Sequence, residues 1–135
     1  MSDLDLGTYQ DFAHYTASDE SKVFQKFIDT LTDEQMETDV NIPLLLTAAI
    51  GLSSEGGEFS EIVKKILFQG KRMDSGVRFH MERELGDILW YLANACTALR
   101  IDLQQVMEEN ERKLKGRYPD GFTVNNSEHR AENDI

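Results

Sequence analysis

The sequence predicts an all-α protein, a bundle of four or five helices. Apolar residues recur at helical spacing in several stretches of the 135-residue chain, and no stretch of useful length alternates apolar and polar residues as a strand does. Gly70 and Gly116 each follow a helical stretch, in the position where a glycine commonly ends a helix. These observations favour helices packed side by side over a fold that contains a sheet.

The first two predicted helices lie between residues 8 and 31. Thr8 is predicted to be the N-cap of the first, and Ser18 either begins a second helix or lies in a continuation of the first. Apolar residues of the second stretch fall on one side of a helix: Val23, Phe24, Phe27, Ile28 and Leu31. Residues 32–41 are polar and have no strong period, so we predict a connection there, with room for a short helical turn.

A longer helix is predicted from Leu44 to about Phe68. Pro43 suits its first turn, where the missing N–H is not needed. Gly56 and Gly57 interrupt the pattern, and each costs about 1 kcal/mol relative to alanine inside a helix. Such glycines are often kept where another backbone or a ligand comes close.

Two more helices are predicted over about Val77–Leu99 and Leu103–Lys115. Asp102 is placed to cap the last helix. The helix over Val77–Leu99 carries a predicted core stripe: Met81, Leu85, Ile88, Leu92, Ala95, Cys96 and Leu99. We therefore expect one domain over residues 1–122, followed by a polar, mobile tail over residues 123–135.

Composition restricts the partners of this domain. The apolar fraction of 40% and the charged fraction of 29% are those of an ordinary soluble protein. A net charge of −11 argues against a nucleic-acid polymer or an anionic membrane as partner, whereas a free nucleotide could still bind through a metal and a local cationic patch. No secretory leader precedes the first helix, residues 42–52 are too short an apolar run to span a bilayer, and Cys96 has no internal disulfide partner. We expect a soluble protein of a reducing compartment.

Two pairs of carboxylates indicate a candidate functional site. Glu55 and Glu58 are three residues apart on one predicted helix, and Glu84 and Asp87 are three apart on the next. Residues three apart are neighbours on one helical face, so two facing pairs would offer the oxygen ligands that Mg²⁺ takes. A single such pair is usually a solvated face. Two pairs beside apolar residues favour a metal site, because burying four carboxylates without a cation would be very costly.

Helical spacing extends these pairs into rows that border apolar faces. The rows are Glu55, Glu58, Ile62 and Lys65; Glu84, Asp87, Tyr91 and Asn94; and Asn110, Lys113 and Arg117. One carboxylate row, one mixed row and one cationic row could together line a polar pocket inside a bundle. Alone, the cationic row is more simply explained as a complement to the helix dipole.

These residues resemble the signature of MazG-like nucleotide pyrophosphohydrolases, which belong to the all-α NTP pyrophosphatase superfamily. The ExxE and ExxD pairs are separated by 25 residues. GLSSEGGEFSE is similar to the family's G-(x)₃-E-x-G-E segment, ELGDILWYL to its ELGD segment, and NERKLKGRYP to its N-x-x-K-(x)₃-R-Y-P ending. The resemblance covers about residues 8–119.

The resemblance implies hydrolysis of a (deoxy)nucleoside triphosphate to the monophosphate and pyrophosphate with Mg²⁺, for which Mn²⁺ is a possible substitute. It implies that the metal ligands are Glu55, Glu58, Glu84 and Asp87. Glu58 or Glu55 would also orient or deprotonate the attacking water. The substrate contacts would be Tyr91 near the sugar or base, with Asn94 in the same row, Lys113 and Arg117 on the phosphates, and Asn110 beside them. Apart from the resemblance, Lys65 is more simply explained as solvent-facing, but it could reach the phosphates.

The resemblance also implies a homodimer or homotetramer in which a neighbouring subunit completes the core and the site. The expected compartment is the cytoplasm, or the host cytoplasm for a phage protein. Two alternatives stay open: a relative of the same fold that hydrolyses another pyrophosphate-containing metabolite such as phosphoribosyl-ATP, and a non-enzymatic oligomeric helical protein. His14, His80 and His129 show no metal-ligand spacing, which counts against a di-iron bundle. The base and sugar stay unassigned.

Overall fold

A computed structural model describes residues 5–129, which form seven helices and no strand, so the predicted all-α class is confirmed. The helices are α1 (Leu6–Thr16), α2 (Asp19–Lys22), α3 (Phe24–Glu37), α4 (Ile42–Gln69), α5 (Ser75–Ala98), α6 (Leu103–Arg117) and α7 (Val124–Glu128). Two of them, α2 and α7, have only 4 and 5 residues. The other five correspond to the upper end of the predicted number.

The first compact unit ends at Ile42 and contains α1, α2 and α3. Asp5 caps α1, where Thr8 was the predicted N-cap: the Asp5 carboxylate accepts a hydrogen bond from the backbone N–H of Thr8 at 2.8 Å. The side chain of an N-cap residue accepts hydrogen bonds from backbone N–H groups two or three residues later. Thr8 therefore supplies the donor, and Asp5 is the cap. Ser18 begins a second helix, which was one of its two predicted alternatives: it caps α2, with its hydroxyl accepting from the N–H of Ser21 at 3.3 Å.

Helix α3 corrects one prediction. It continues to Glu37, so the connection predicted over residues 32–41 is limited to residues 38–41. The residues it adds include Glu34, Gln35 and Glu37, which favour a helix without needing an apolar face. Thr38 ends the helix, and the side chain of Gln35 accepts a hydrogen bond from the N–H of Ile42 at 3.0 Å.

The second compact unit begins at Pro43. Helix α4 runs through Gly56 and Gly57 without a break and ends before Gly70, whose φ of 71° is the left-handed conformation that glycine adopts without strain. Pro43 lies in the first turn of α4, as predicted. The expected interruption is therefore absent, although the predicted end of the helix is correct.

Side-chain caps fix the ends of α5 and α6. Asp74 accepts a hydrogen bond from the N–H of Val77 at 2.8 Å, so α5 begins two residues earlier than predicted. Asp102 caps α6 as predicted, accepting from the N–H of Gln104 at 2.7 Å. Helix α6 continues through Gly116 to Arg117, beyond its predicted end.

The last described helix falls in the segment predicted to be a tail. Thr123 caps α7 by accepting a hydrogen bond from the N–H of Asn126 at 3.1 Å. The side-chain amide of Asn126 donates to the carbonyl of Arg117 at 3.0 Å, which ties α7 to the end of α6. Residues 130–135 of the predicted tail lie outside the described residues.

The buried residues of the described chain lie on α4 and α5, and they are mostly small. They are Ala48, Gly51 and Ile62 on α4, and Val77, Glu84, Cys96 and Ala98 on α5. Cys96 is buried as predicted, but Leu85 and Leu99 of the predicted core stripe are 52% and 39% exposed. No aromatic side chain between residues 5 and 129 is buried. A single copy of the chain therefore leaves much of its apolar surface uncovered.

Candidate metal centre

Helices α4 and α5 bring three of the four predicted metal ligands together. Glu55, Glu58 and Glu84 each place one carboxylate oxygen within 4.8 Å of the other two. Glu84 is buried at 6% exposure, Glu55 is half-buried and Glu58 is exposed. The three-residue spacing on α4 places Glu55 and Glu58 on one face, and that face meets Glu84 across the helix pair.

The fourth predicted ligand, Asp87, lies one turn after Glu84 on α5 and is exposed. It is not in the group of three carboxylates. Its charge nevertheless contributes to the raised pKa of Glu55, so it lies in the same field of negative charge. Asp87 therefore borders the cluster.

The electrostatics of the cluster suit a cation. Partial burial raises the pKa of Glu55 above the ordinary range, and repulsion from Glu58, Asp87 and Glu84 raises it further. A hydrogen bond between the side chains of Glu55 and Glu84 adds to this effect, since it favours a proton held between them. Because all the donors are carboxylate oxygens, the set fits a hard divalent cation such as Mg²⁺ or Mn²⁺.

The raised pKa of Glu55 predicts how the stability of the metal-free protein depends on pH. Above 4.5, the ordinary value for glutamate, the folded state binds more protons at Glu55 than the unfolded state does. The free energy of unfolding should therefore decrease as pH rises from about 4.5 through the raised pKa of Glu55. Denaturant titrations of metal-free wild type and Glu55→Gln across this range measure the effect.

The difference between these two pH profiles isolates Glu55. Carboxyls with lowered pKa values, such as Glu61 beside Lys65, change stability only below their ordinary range, and they are the same in both proteins. We expect Glu55→Gln to lose the decrease. Parallel profiles would contradict the assigned repulsion.

Tyr91 packs against the backbone of α4 at Gly51. A Cβ added to Gly51 would lie 2.2 Å from Cε1 and 2.3 Å from Cδ1 of the Tyr91 ring, which no real pair of atoms tolerates. Gly51 is one turn before Glu55 on α4, and Tyr91 is one turn after Asp87 on α5. The ring therefore lies one helical turn from the carboxylates on both helices.

The other residues predicted to bind substrate have contacts near their own positions. Lys65 forms an ion pair with Glu61 at 3.1 Å. The side-chain amide of Asn94 donates to the carbonyl of Trp90 at 2.9 Å. Each contact joins residues four apart on one helix, so it orients the side chain along its own helix.

The cationic row lies on α6. Asn110 lines an open surface cavity of about 530 Å³ together with Met107, Glu111, Leu114, Lys115 and Tyr118. The pKa of Glu109 is lowered, mainly by a hydrogen bond from Arg112 and to a smaller extent by the charge of Lys113. The guanidinium of Arg117 lies 5.8 Å from the centre of the Tyr118 ring.

Sequence reasoning missed two residues at the cluster, His80 and Gly51. The Nε2 atom of His80 lies 2.9 Å from Oε1 of Glu84. The signal for His80 was its position four residues before Glu84, because residues four apart share a helical face. The signal for Gly51 was similar, since it begins the row that Glu55 and Glu58 continue.

Comparison with known sequences identifies the class of protein that has this fold and this carboxylate cluster. The profile of the MazG nucleotide pyrophosphohydrolase domain matches residues 45–122. The chain belongs to this family, and hydrolases of the MazG type generally use a divalent metal.

One phage protein is similar to this chain in sequence. The chain is 35% identical over 86 residues to the Gene 37 protein of Mycobacterium phage L5, and the match covers 60% of this chain and 72% of the relative. No solved structure gives a significant match. Among the described residues, none of the helices has the length and apolar character needed to cross a bilayer.

Proposed function

We propose that this protein hydrolyses a (deoxy)nucleoside triphosphate to the monophosphate and pyrophosphate with Mg²⁺, which Mn²⁺ can replace. The observation that carries the proposal is the cluster of Glu55, Glu58 and Glu84, whose carboxylate oxygens lie within 4.8 Å of one another. Membership of the MazG family supports a nucleotide as the substrate. The cytoplasm, or the host cytoplasm for a phage protein, is where such a substrate is available.

Four carboxylates would hold the metal: Glu55, Glu58, Glu84 and Asp87. A bound divalent cation neutralises phosphate charge and lowers the pKa of a coordinated water. Glu58 is exposed, so water can reach its carboxylate, whereas Glu55 holds a proton more strongly because its pKa is raised. Either group would orient or deprotonate the attacking water, as a general base within hydrogen-bond reach does.

The remaining substrate contacts follow from the chemistry of a nucleotide. Tyr91, one turn from the carboxylates, offers a flat apolar ring to the sugar or base, with Asn94 further along α5. Lys113 and Arg117 would hold the phosphates, Arg117 with the forked geometry that suits phosphate oxygens, and Asn110 would lie beside them. Lys65 would reach the phosphates only by leaving its ion pair with Glu61.

Screening all eight common NTPs and dNTPs for pyrophosphate release tests this function. We expect at least one to be hydrolysed to its monophosphate when Mg²⁺ is present, and none when the metal is chelated. Phosphoribosyl-ATP serves as a ninth substrate, so that turnover of this compound alone would indicate a different hydrolase of the same fold. No turnover and no Mg²⁺ binding would contradict an enzymatic role.

We also propose that the protein is a homodimer or homotetramer whose subunits complete the core and the site. Exposed apolar residues on α5 support this: Leu85 and Leu89 are 52% and 56% exposed. Successive residues of a helix are about 100° apart around its axis, and the half-buried residues of α5 form a stripe along it. The two leucines lie on one side of this stripe, and the row of Glu84, Asp87 and Tyr91 lies on the other. A second copy that covers the leucines would therefore leave the carboxylates accessible.

Leu89→Glu tests this assembly. Covering one leucine contributes about 2 kcal/mol, so placing a charge there should weaken self-association by about 10-fold or more. Sedimentation velocity over a range of protein concentrations gives the association constant. A wild-type protein that sediments as a monomer at every concentration would contradict the proposal.

A further inference from the structure

Glu84 differs from the other carboxylates of the cluster in its surroundings. It is buried at 6% exposure, and it is the only buried charged residue among those that the structure describes. A buried carboxylate needs hydrogen-bond donors in place of the water it has lost. The side chain of His80 meets this need, with Nε2 at 2.9 Å from Oε1 of Glu84.

The direction of this hydrogen bond follows from the acceptor. An ionised carboxylate can only accept, so Nε2 of His80 carries the hydrogen and donates it. This holds for the neutral Nε2–H tautomer and for the imidazolium, and the contact therefore does not depend on the charge of His80. One donor on Oε1 restricts rotation of the carboxylate about its last bond, so Glu84 keeps one orientation toward Glu55 and Glu58.

The position of His80 along α5 supports a role at the site. His80 precedes Glu84 by four residues, so it extends the row of Glu84, Asp87, Tyr91 and Asn94 by one turn. Its side chain is 54% exposed, and it contributes little to the buried core. A side chain that is mostly outside the core but bonded to a buried ligand is suited to orienting that ligand.

We propose that His80 is a positioning residue of the metal centre: its Nε2–H fixes the orientation in which Glu84 offers its carboxylate to a divalent cation. The inference rests on the proposed metal centre and adds a residue to it. Groups that orient metal ligands commonly change metal affinity by about 10-fold to 100-fold when they are removed. A surface pair between residues four apart on a helix would instead change only stability, and by little.

Binding of Mn²⁺ alone, without nucleotide, tests the proposal. The loss of the free Mn²⁺ signal in electron paramagnetic resonance gives the dissociation constant, with Mg²⁺ as competitor. We expect His80→Ala to weaken Mn²⁺ binding by about 10-fold or more. The melting temperature of the metal-free protein should also fall, because the buried carboxylate of Glu84 loses a donor, so binding is compared at a temperature where both proteins are folded. His80→Gln should retain most of the affinity, because the glutamine amide can donate from a similar place.

His14→Ala is the matched control, since His14 is an exposed histidine on α1. It should bind Mn²⁺ as the wild type does. Wild-type affinity in His80→Ala would overturn the proposal, and so would an equal loss in His80→Ala and His80→Gln. A wild type that binds Mn²⁺ but hydrolyses no nucleotide would leave this result intact and count against the proposed function alone.

Discussion

Glu58→Gln should reduce turnover by about 100-fold or more while leaving the protein folded. Gln keeps the size and shape of Glu but removes a negative charge, so the cluster loses a metal ligand and a potential base together. Removal of a general base alone commonly costs a factor of about 100 to 10,000. Steady-state rates of pyrophosphate release at saturating Mg²⁺ measure the loss.

The metal-free form of this variant offers a second measurement. Among the neighbouring charges, that of Glu58 raises the pKa of Glu55 most, so its neutralisation removes repulsion from the folded state. The melting temperature without metal should therefore stay the same or rise. Glu82→Gln is the matched control: Glu82 is exposed on α5, outside the carboxylate cluster, and this variant should keep wild-type turnover. Full activity in Glu58→Gln would contradict the assigned metal site.

Local signals predicted some of the helix ends that one side chain decides, although the caps Asp5 and Asp74 were not recognised. Ser18 and Asp102 are N-caps, and Gly70 follows α4 in the left-handed conformation, because in each case one residue satisfies or releases the backbone. Residues 32–37 were assigned wrongly because the pattern searched for was an apolar period. A helix that is largely exposed does not need one.

Burial was harder to predict than helix boundaries. Leu85 and Leu99 belong to the predicted core stripe of α5, yet they are 52% and 39% exposed. Periodicity identifies the face of a helix that avoids water, but it does not say whether the same chain or another copy covers that face. The sequence therefore did not indicate how many of these apolar residues are buried within a single chain.

The candidate site was predictable in part, for a physical reason. Carboxylates three apart on a helix must share a face, so the meeting of Glu55, Glu58 and Glu84 required only that α4 and α5 pack with those faces together. The glycine pair at residues 56 and 57 was predicted to allow another backbone or a ligand to come close, but an added Cβ would meet nothing within 4 Å at either glycine. The close approach occurs at Gly51, which depends on the helix crossing.

Gly51→Ala should displace the Tyr91 ring and raise KM for the nucleotide. The added methyl group would lie 2.2 Å from the ring, so the ring must rotate or the helices must separate. Overpacking of this kind costs about 1 to 3 kcal/mol. If Tyr91 supports the sugar or base, KM should rise by about 10-fold with a smaller change in kcat, because the ring binds the substrate away from the breaking bond.

A double-mutant cycle separates the contact between Gly51 and Tyr91 from a general loss of stability. In a Tyr91→Ala background the methyl group has room, so Gly51→Ala should cost little more in KM or in melting temperature. Gly57→Ala is the stability control: it lies inside the same helix, is exposed and has open space at its Cβ, so it should gain about 1 kcal/mol. Additive effects of the Gly51 and Tyr91 substitutions would show that the two residues act independently. In that case Gly51 would not be what holds the ring beside the carboxylates.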